Sequence, residues 1–335
     1  MITKKEKEKG LSPLNLAKRF RRNRKNSSIR ALVQENYLRV TDFVVPFFLT
    51  EENTLPWESN NPFYRWSINN LLKKAFFLHE KGVQAIALFP CIDPSLKKAN
   101  GQEALNPDGL IPKAIEVLKK EIPSLTLILD LALDPFTSHG HDGIVDERNR
   151  IDNDATVHIL GQMALLYAEK GADILAPSDM MDGRVGFIRN LLEKNQFPDT
   201  CIMSYSVKYA SSFYAPFRKV VGSSLSFGDK KTYQMNPANS REALLEARQD
   251  EEEGADFLLV KPAGFYLDII AKIKEKTNLP LAAYQVSGEY AMLKNACTQG
   301  LLPYPDAFLE SLISIKRAGA DLIFSYAVEE ILPFF

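Results

Sequence analysis

The sequence has few cysteines, no long apolar run and almost no net charge. Its 335 residues include three cysteines, at positions 91, 201 and 297, an odd number without a C-x-x-C pair. These features argue against a disulfide framework and a structural zinc site. No stretch approaches the roughly 18 apolar residues of a membrane-spanning helix, and the first residues lack the apolar centre of a signal peptide. A reducing cytoplasm is the compartment that the sequence favours.

The formal net charge of −1 argues against an electrostatic attraction of the whole chain to nucleic acid or to an anionic membrane. Residues 1–35 differ from the rest because they contain a basic run between Lys18 and Arg30. A nucleic-acid-binding tail is one reading. An arm that docks on a neighbouring subunit is favoured, since Phe20 is the one aromatic residue within the run. We predict an arm over residues 1–35 and one catalytic domain over residues 36–335.

From about residue 40, short runs of β-branched and aromatic residues alternate with longer segments of helical spacing. The predicted strands are Val44–Thr50, Ala85–Pro90, Leu125–Leu133, Ile174–Ser178, Cys201–Ser206, Phe257–Pro262, Leu281–Val286 and Asp321–Ala327. The predicted helices are Ser67–Lys81, Lys113–Glu121, Ala155–Gly171, Arg241–Glu253, Tyr266–Lys276 and Asp306–Ala318. Near-continuous apolar strands are typical of a parallel sheet that is covered on both faces. The pattern predicts an α/β fold, a (β/α)₈ TIM barrel with an extended N-terminal arm.

In such a barrel the residues at the carboxyl ends of the strands meet at one mouth. They are Asp130, Asp134, Ser178, Asp182, Lys208, Lys261, Ser287 and Tyr326. Neither a Ser-His-Asp order nor a glycine-rich phosphate loop stands out. The set is therefore rich in amines, carboxylates and hydroxyl groups, without a known nucleophile motif.

Lys208 and Lys261 each end a short apolar run. A lysine in that position most simply extends to solvent with its stem packed. On adjacent strands, however, each amine disfavours the protonation of the other, and a neutral amine attacks carbonyl carbons to form an imine. Imine chemistry is the interpretation we prefer. The alternatives are a barrel aldolase, which needs one imine lysine, and a non-catalytic barrel that binds nucleic acid through its arm.

Five segments in one order resemble porphobilinogen synthase, also called 5-aminolevulinate dehydratase. They are residues 204–218 (SYSVKYASSFYAPFR), 232–237 (TYQMNP), 259–264 (LVKPAG), 283–292 (AYQVSGEYAM) and 314–326 (SIKRAGADLIFSY). The resemblance extends from about Lys18 to Tyr326. It implies a lyase that condenses two molecules of 5-aminolevulinate into porphobilinogen with loss of two waters, an early step of tetrapyrrole (heme) biosynthesis.

The resemblance also implies roles for single residues. Lys208 and Lys261 are expected to be the catalytic Schiff-base lysines, one for each substrate molecule. Arg218 with Lys230 is expected to bind one substrate carboxylate, and Ser287 with Tyr326 the other. The further expected substrate contacts are Gln234, Ser178, Asp130, Asp134 and Asp142.

The segment 130–143 (DLALDPFTSHGHDG) bears on the metal. Zinc-using members of the family carry three cysteines there, whereas this chain has Ala132, Asp134 and Asp142. Without thiolates Zn²⁺ loses its soft ligands, although His139 and His141 remain possible ligands. We expect no active-site zinc. Asp134 and Asp142 are instead expected to hold a hard cation or water, or to orient the substrate's amino group.

The sequence therefore resembles the magnesium-responsive, zinc-independent branch of the family. The resemblance to that branch implies an allosteric Mg²⁺ at a subunit interface, on the residue that corresponds to Glu246. One carboxylate completed by waters is a normal Mg²⁺ site. Asp250 lies on the same helix face and is expected to support the ion. The resemblance further implies a small-molecule substrate and a homo-octamer, with smaller assemblies in some members of the family. Neither nucleic acid nor membrane is expected as a partner, since the net charge argues against both.

Overall fold

The computed structural model describes residues 16–51, 55–56 and 63–335. The chain divides into two compact units between Tyr37 and Leu38, close to the predicted boundary at residue 35. The first 15 residues of the predicted arm lie outside the described residues.

The described part of the first unit contains a 3₁₀ helix, Phe20–Arg24, and the short helix α1, Ser27–Leu32. Asn26 begins α1, because its side-chain oxygen accepts a hydrogen bond from the Ile29 amide at 2.9 Å. None of the residues from 16 to 37 is buried, and Leu32 is 85 % exposed. The described part of this unit, residues 16–37, therefore has apolar side chains but no buried core.

The second unit is a closed barrel of parallel strands. Its strands are β1 (Phe43–Leu49), β2 (Ala85–Pro90), β3 (Thr126–Leu131), β4 (Ile174–Pro177), β5 (Cys201–Lys208), β6 (Phe257–Lys261), β7 (Leu281–Tyr284) and β8 (Leu322–Phe324). Each strand pairs with the next in chain order, and β8 pairs with β1, which closes the sheet. All seven residues of β1 are buried, as expected of a strand with both faces covered. The predicted TIM barrel is confirmed.

The helices of this unit are α2 (Ile68–Glu80), α3 (Leu110–Glu121), α4 (Asn153–Glu169), α5 (Arg184–Lys194), α6 (Ala215–Val221), α7 (Arg241–Glu252), α8 (Leu267–Lys274), α9 (Ser287–Thr298), α10 (Asp306–Arg317) and α11 (Val328–Ile331). Helices α5, α6, α9 and α11 were not predicted from the sequence. Within α5, Val185, Ile188 and Leu192 are buried at the spacing of one helix face, so the signal was present. No helix of the described residues is long and apolar enough to cross a membrane.

Two strand ends differ from the prediction in ways that shape the mouth of the barrel. Strand β5 continues past the predicted Ser206 to Lys208, because Lys208 still pairs with Lys261 on β6. Strand β8 ends early, at Phe324. There the Ser325 hydroxyl donates to the Gln285 side chain and accepts the Ala327 amide, which turns the chain toward α11.

Three long connections follow strands at the mouth. Residues 91–112 and 134–153 contain 3₁₀ helices (Pro94–Leu96 and Gln102–Leu105) and a small antiparallel hairpin (Ile144–Val145 with Ile151–Asp152). The third connection, residues 209–240, follows β5. This connection carries a 3₁₀ helix, Ser212–Tyr214, and α6.

Candidate active site

Lys208 and Lys261 occupy paired positions on adjacent parallel strands. They are 7 % and 5 % exposed, respectively. Register-paired residues of a sheet extend to the same face, so the two amines enter the same space at the mouth of the barrel. The structure thus brings the two lysines together, both buried, at the strand ends.

Most of the predicted site residues surround one cleft with the two lysines. Its lining residues are Asp130, Asp134, Ser178, Lys208, Tyr214, Phe217, Arg218, Lys230, Gln234 and Lys261. Tyr214 and Phe217 were not predicted, and both come from the connection that follows β5. Strand ends thus supply the floor of the cleft, and this connection supplies one wall.

The amine of Lys261 lies among aromatic rings, which we call the ring cage. The distances from its Nζ to the ring centres are 4.4 Å for Tyr284, 4.9 Å for Phe217, 5.1 Å for Tyr205, 5.4 Å for Tyr214 and 6.0 Å for Phe89. Within the described chain no carboxylate lies within 4.0 Å of this amine. Burial, and secondly the charge of Lys208, lower the pKa of Lys261 to about 7. Lys261 is therefore poised as a nucleophile near neutral pH.

The amine of Lys208 has polar surroundings instead. Its Nζ lies 3.0 Å from Asp142 Oδ2 and donates to the Ser178 carbonyl. Lys230 reaches the same carboxylate, with 2.5 Å to Asp142 Oδ1, and lies 3.3 Å from Asp134. One buried carboxylate thus serves two ammonium groups.

Asp142 is fully buried. Burial alone would raise the pKa of its carboxyl, but the ammonium groups of Lys208 and Lys230 outweigh burial and hold that pKa below its usual range. The pKa of Lys230 is raised: burial opposes its charge, and Asp134 and Asp142 more than compensate. Both partners of this pair are charged at neutral pH.

Asp130 behaves differently from Asp142. Burial raises the pKa of its carboxyl to about 7, with Lys261 and Lys208 acting in the opposite direction. Its Oδ1 has no hydrogen-bond partner in the described part of the chain, although buried polar atoms usually have one. The side chain is thus able to accept or release a proton beside both lysines.

Arg218 lies on α6, half-buried, with its guanidinium 5.8 Å from the centre of the Tyr214 ring. Together with Lys230 it brings two cations to one side of the cleft. A guanidinium offers a forked pair of donors to a carboxylate, whereas an ammonium acts as a point charge. The predicted pair is thus brought together at the cleft.

Ser287 and Tyr326 lie behind the ring cage rather than on the cleft lining. The Ser287 Oγ accepts a hydrogen bond from the Phe217 amide at 3.0 Å. The Tyr326 hydroxyl lies 3.0 Å from the Tyr284 hydroxyl. Phe217 and Tyr284 are the two cage rings closest to Lys261, so both predicted residues reach the site through the cage.

Both histidines of the 130–143 segment have protein partners on every ring nitrogen. His139 Nε2 lies 3.1 Å from the Ala99 carbonyl, and its Nδ1 accepts the His141 amide. His141 Nδ1 lies 3.1 Å from the Tyr233 hydroxyl and its Nε2 3.2 Å from the Phe227 carbonyl. Burial lowers the pKa of both rings. The rings therefore tie the loop after β3 to its neighbours.

Glu246 lies on α7, away from the lysines, and lines a cavity of about 750 Å³ together with Asp182 and His141. Burial raises the pKa of its carboxyl to about 7. Asp250, expected to share an ion with it, is 2 % exposed and accepts from Ser204 at 2.6 Å and Arg184 at 3.3 Å. Among the described residues no group of three or more His, Cys, Asp or Glu is placed to hold a metal.

A sequence profile of the delta-aminolevulinic acid dehydratase family matches residues 17–334. The delta-aminolevulinic acid dehydratase of Chlamydia pneumoniae is 52 % identical over 324 residues, which cover 96 % of this chain and 97 % of that one. The chain belongs to the delta-aminolevulinic acid dehydratase family. This is the family that the sequence segments predicted, and its dehydratase activity, that of a lyase, is confirmed with it.

Two further dehydratases extend the comparison. The chloroplastic delta-aminolevulinic acid dehydratase of Physcomitrium patens is 49 % identical over 319 residues, 94 % of this chain and 74 % of the moss protein. A crystal structure from Toxoplasma gondii superposes with a TM-score of 0.94 and 49 % identity, covering 96 % of this chain and 92 % of that one. That dehydratase, also named porphobilinogen synthase, was solved in complex with its product porphobilinogen.

The ring cage is the main feature of this cleft that was not predicted from the sequence. Its members come from β2, β5, β7 and the connection after β5, so no local pattern unites them. One signal was available: Phe89, Tyr205 and Tyr284 all lie within the predicted strands, where aromatic residues have ordinary packing roles. The lysine that they surround was the clue to their function.

Proposed function

We propose that this chain condenses two molecules of 5-aminolevulinate into porphobilinogen through imines on Lys261 and Lys208. The observation that carries the proposal is the pair of buried amines in register on β5 and β6, one in a ring cage and one beside Asp142. Two amines fixed on adjacent strands suit a reaction that joins two ketones. A barrel aldolase needs only one.

Lys261 reacts first. Its pKa of about 7 leaves a substantial fraction of neutral amine at physiological pH, which adds to the ketone carbon of the substrate. The resulting carbinolamine loses water to give an iminium, an electron sink for the later carbon–carbon bond. The rings around Lys261 keep bulk water from the iminium and tolerate its positive charge.

Lys208 forms the second imine after it has given up a proton. Asp130 accepts that proton, because its pKa of about 7 and its unpartnered Oδ1 suit a group that takes up and releases protons near neutral pH. Asp142 stays ionised and holds Lys208 beside Lys261. The two lysines are regenerated as the pyrrole forms, and two waters are lost for each pair of substrates.

The substrate carboxylates are bound in two places, one on the cleft lining and the other behind the ring cage. Arg218 and Lys230 bind one, Arg218 through its forked donors and Lys230 as a point charge. Ser287 and Tyr326 bind the other. Their hydroxyl groups become available when Ser287 gives up its bond to the Phe217 amide and Tyr326 its bond to the Tyr284 hydroxyl. Gln234 and Ser178 add contacts from the cleft wall, and Asp134 orients the substrate's amino group.

The chain works without an active-site zinc. Ala132, Asp134 and Asp142 provide no thiolate, and the described cysteines lie elsewhere as free thiols. The donor set therefore does not suit zinc, and no step is assigned to it. Asp134 and Asp142 already neutralise Lys208 and Lys230.

Glu246 suits an allosteric Mg²⁺ that waters complete. The carboxylate is half-buried, its pKa is raised by burial, and Asp182 lines the same cavity. A hard cation stabilises such a carboxylate in its ionised form. Asp250 takes no part, since Arg184 and Ser204 bond to it. Bound at an interface, the ion favours one assembly by binding it better than the others.

We further propose a homo-octamer that operates in the cytoplasm with the basic arm at subunit contacts. The arm exposes Phe20 and Leu32 at 77 % and 85 %, and apolar side chains of this kind become buried when an arm docks on a second copy of the chain. Magnesium and the arm then act on the same equilibrium between assemblies.

The test of the proposed function uses the pure protein with 5-aminolevulinate. Porphobilinogen is measured as pyrrole, and borohydride is added in parallel to reduce any imine to a stable adduct that peptide mass spectrometry locates. We expect pyrrole, together with adducts on Lys261 and Lys208. Absence of adducts from both lysines contradicts the imine mechanism, and adducts on Lys261 alone with no pyrrole favour an aldolase.

The magnesium site is tested with Glu246→Gln, with Glu252→Gln as the matched control on the exposed face of the same helix, where Glu252 pairs with Arg248. We expect Mg²⁺ to raise activity and the share of the largest assembly in the wild type and in Glu252→Gln, and to change neither in Glu246→Gln. A zinc-selective chelator is expected to leave activity intact. Activity that only Zn²⁺ restores contradicts the proposal.

A further inference from the structure

Glu289 is a buried carboxylate on α9 that the proposed mechanism does not use. It is 4 % exposed. Its oxygens accept backbone amides of Gly264 at 2.6 Å, Val286 at 2.8 Å and Ala263 at 3.4 Å. No cation lies within 4.0 Å of this carboxylate in the described part of the chain, so backbone amides are its main stabilising partners. Burial raises the pKa of Glu289 to about 7, and the bonds from these amides oppose that rise.

Two of these amides belong to the loop that follows Lys261 directly. On its other side the Lys261 carbonyl accepts the Tyr214 hydroxyl and the Tyr209 amide, each at 3.0 Å. The backbone at the end of β6 is therefore held from both sides. The approach is close: a Cβ added at Gly264 would lie 2.8 Å from Glu289 Oε1, nearer than side-chain contacts normally come.

The same end of α9 also bonds to the connection after β5. Ser287 accepts the Phe217 amide at 3.0 Å. A Cβ added at Gly288 would lie 2.5 Å from the Phe213 carbonyl oxygen, so backbone meets backbone there. Phe217 is a ring of the cage. Residues 287–289 thus join the loop that carries the amine to the segment that carries one wall of its cage.

We propose that Glu289 is a positioning residue for Lys261. Its carboxylate fixes the loop after β6 against α9, which sets the direction of the Lys261 side chain and keeps its amine inside the ring cage. The proposal rests on the proposed role of Lys261 as a nucleophile. Reactive groups must be held within a fraction of an ångström of the productive geometry, and misplacement by about 1 Å costs on the order of a hundredfold in rate.

Glu289→Gln is the direct test, because it keeps the shape of the side chain but turns an amide donor toward backbone donors. The probe is formaldehyde with cyanoborohydride, which methylates neutral amines without the substrate. Peptide mass spectrometry gives the rate at Lys261 and at Lys208 as a function of pH. We expect the rate at Lys261 near pH 7 to fall about tenfold and its pH midpoint to rise, because the amine leaves the cage. The rate at Lys208 is expected to stay within twofold.

The matched control is Glu330→Gln. Glu330 accepts the Tyr290 hydroxyl and the Lys294 ammonium, both on α9, but it does not bond to the loop after Lys261. We expect the ratio of the two lysine rates to stay at the wild-type value. An equal shift in Glu330→Gln, an equal loss at both lysines in Glu289→Gln, or no change in Glu289→Gln each overturns the proposal.

Gly264→Ala provides a second variant if Glu289→Gln does not fold. The added methyl presses on Glu289 Oε1, and we expect the same change at Lys261 with a smaller size, about threefold. An unchanged ratio of rates in a folded Gly264→Ala overturns the proposal. Because formaldehyde reacts with the amines directly, this result does not depend on 5-aminolevulinate. If the wild type forms no borohydride-trapped adduct with 5-aminolevulinate, that outcome contradicts the proposed function and not the role of Glu289.

Discussion

Lys208 and Lys261 are paired across adjacent strands, yet their two amines have opposite surroundings. Lys261 is enclosed by aromatic rings with no carboxylate within 4.0 Å among the described residues. Lys208 lies against Asp142, which Lys230 shares. Rings remove water from an amine without adding a negative charge, so they favour its neutral form, whereas a carboxylate favours the ammonium.

The difference shows how one residue type has two environments in one cleft. One amine lies among rings that exclude water, and the other is held in place by a carboxylate. Charge on Lys208 also helps to keep Lys261 neutral. The two environments are therefore coupled: the ion pair of one lysine contributes to the reactivity of the other.

The largest expected effect comes from removing either amine. Lys261→Ala and Lys208→Ala are each expected to lower turnover on the order of a thousandfold or more, since residues that act as a unit are not replaceable singly. The variants differ in what borohydride traps. Lys208→Ala should still form an adduct on Lys261 with 5-aminolevulinate, whereas Lys261→Ala should form little on Lys208. Equal trapping in both variants would break the comparison.

The next effect concerns stability on the polar side. Asp142→Asn leaves Lys208 and Lys230 without their shared carboxylate, and breaking a buried ion pair costs about 3–5 kcal/mol in the free energy of unfolding. Asp134→Asn is the matched control, because Asp134 reaches only Lys230, at 3.3 Å. We expect a loss of roughly 1–3 kcal/mol there. Urea unfolding measures both values, and equal losses would mean that Asp142 is not the shared centre.

The smallest expected effect concerns the pKa of Lys261. It distinguishes the exclusion of water by the ring cage from the attraction of the Lys261 ammonium to the rings. With a pKa of about 7 for Lys261, imine formation in the wild type should speed up as pH rises through 7 and level off above it. Phe217→Ala admits water beside the amine, so its pKa and the midpoint should rise by about one unit.

Phe217→Leu completes that comparison, because leucine excludes water but has no ring to stabilise the ammonium. We expect its midpoint at or slightly below the wild-type value. The measurement is the rate of borohydride-trapped adduct at Lys261 against pH. A midpoint that rises equally in both variants would mean that the Phe217 ring itself, and not the exclusion of water, lowers the pKa of Lys261.

The barrel was predictable because its strands carry their own signal. The run from Ala85 to Pro90 was bounded correctly from apolar β-formers alone, and the lysines that end β5 and β6 pointed to one mouth. Short helices were harder. Helix α6 has seven residues, too few for a periodic pattern. Helix α9 begins with Ser287, Gly288 and Glu289, which make contacts at the site and do not follow an apolar helical pattern.

What the sequence did not disclose is how side chains from distant segments combine. The cage brings Phe89 beside Tyr284, and Asp142 serves two lysines at once; both depend on which loop folds over which strand. Glu289 gave no signal, because its partners are backbone amides, which every residue offers. The family resemblance supplied roles for single residues, and the contacts among them required the fold.

The register between β5 and β6 has a consequence for the geometry of the product. Neighbouring strands are about 4.8 Å apart in the hydrogen-bonding direction, and Lys208 and Lys261 face each other across that interval. In the proposed mechanism, two ketones attached to these amines start from backbone positions whose spacing the sheet fixes. Loop substitutions can change which molecules enter the cleft and how quickly. The distance between the two backbone positions that carry the lysines is set by the sheet.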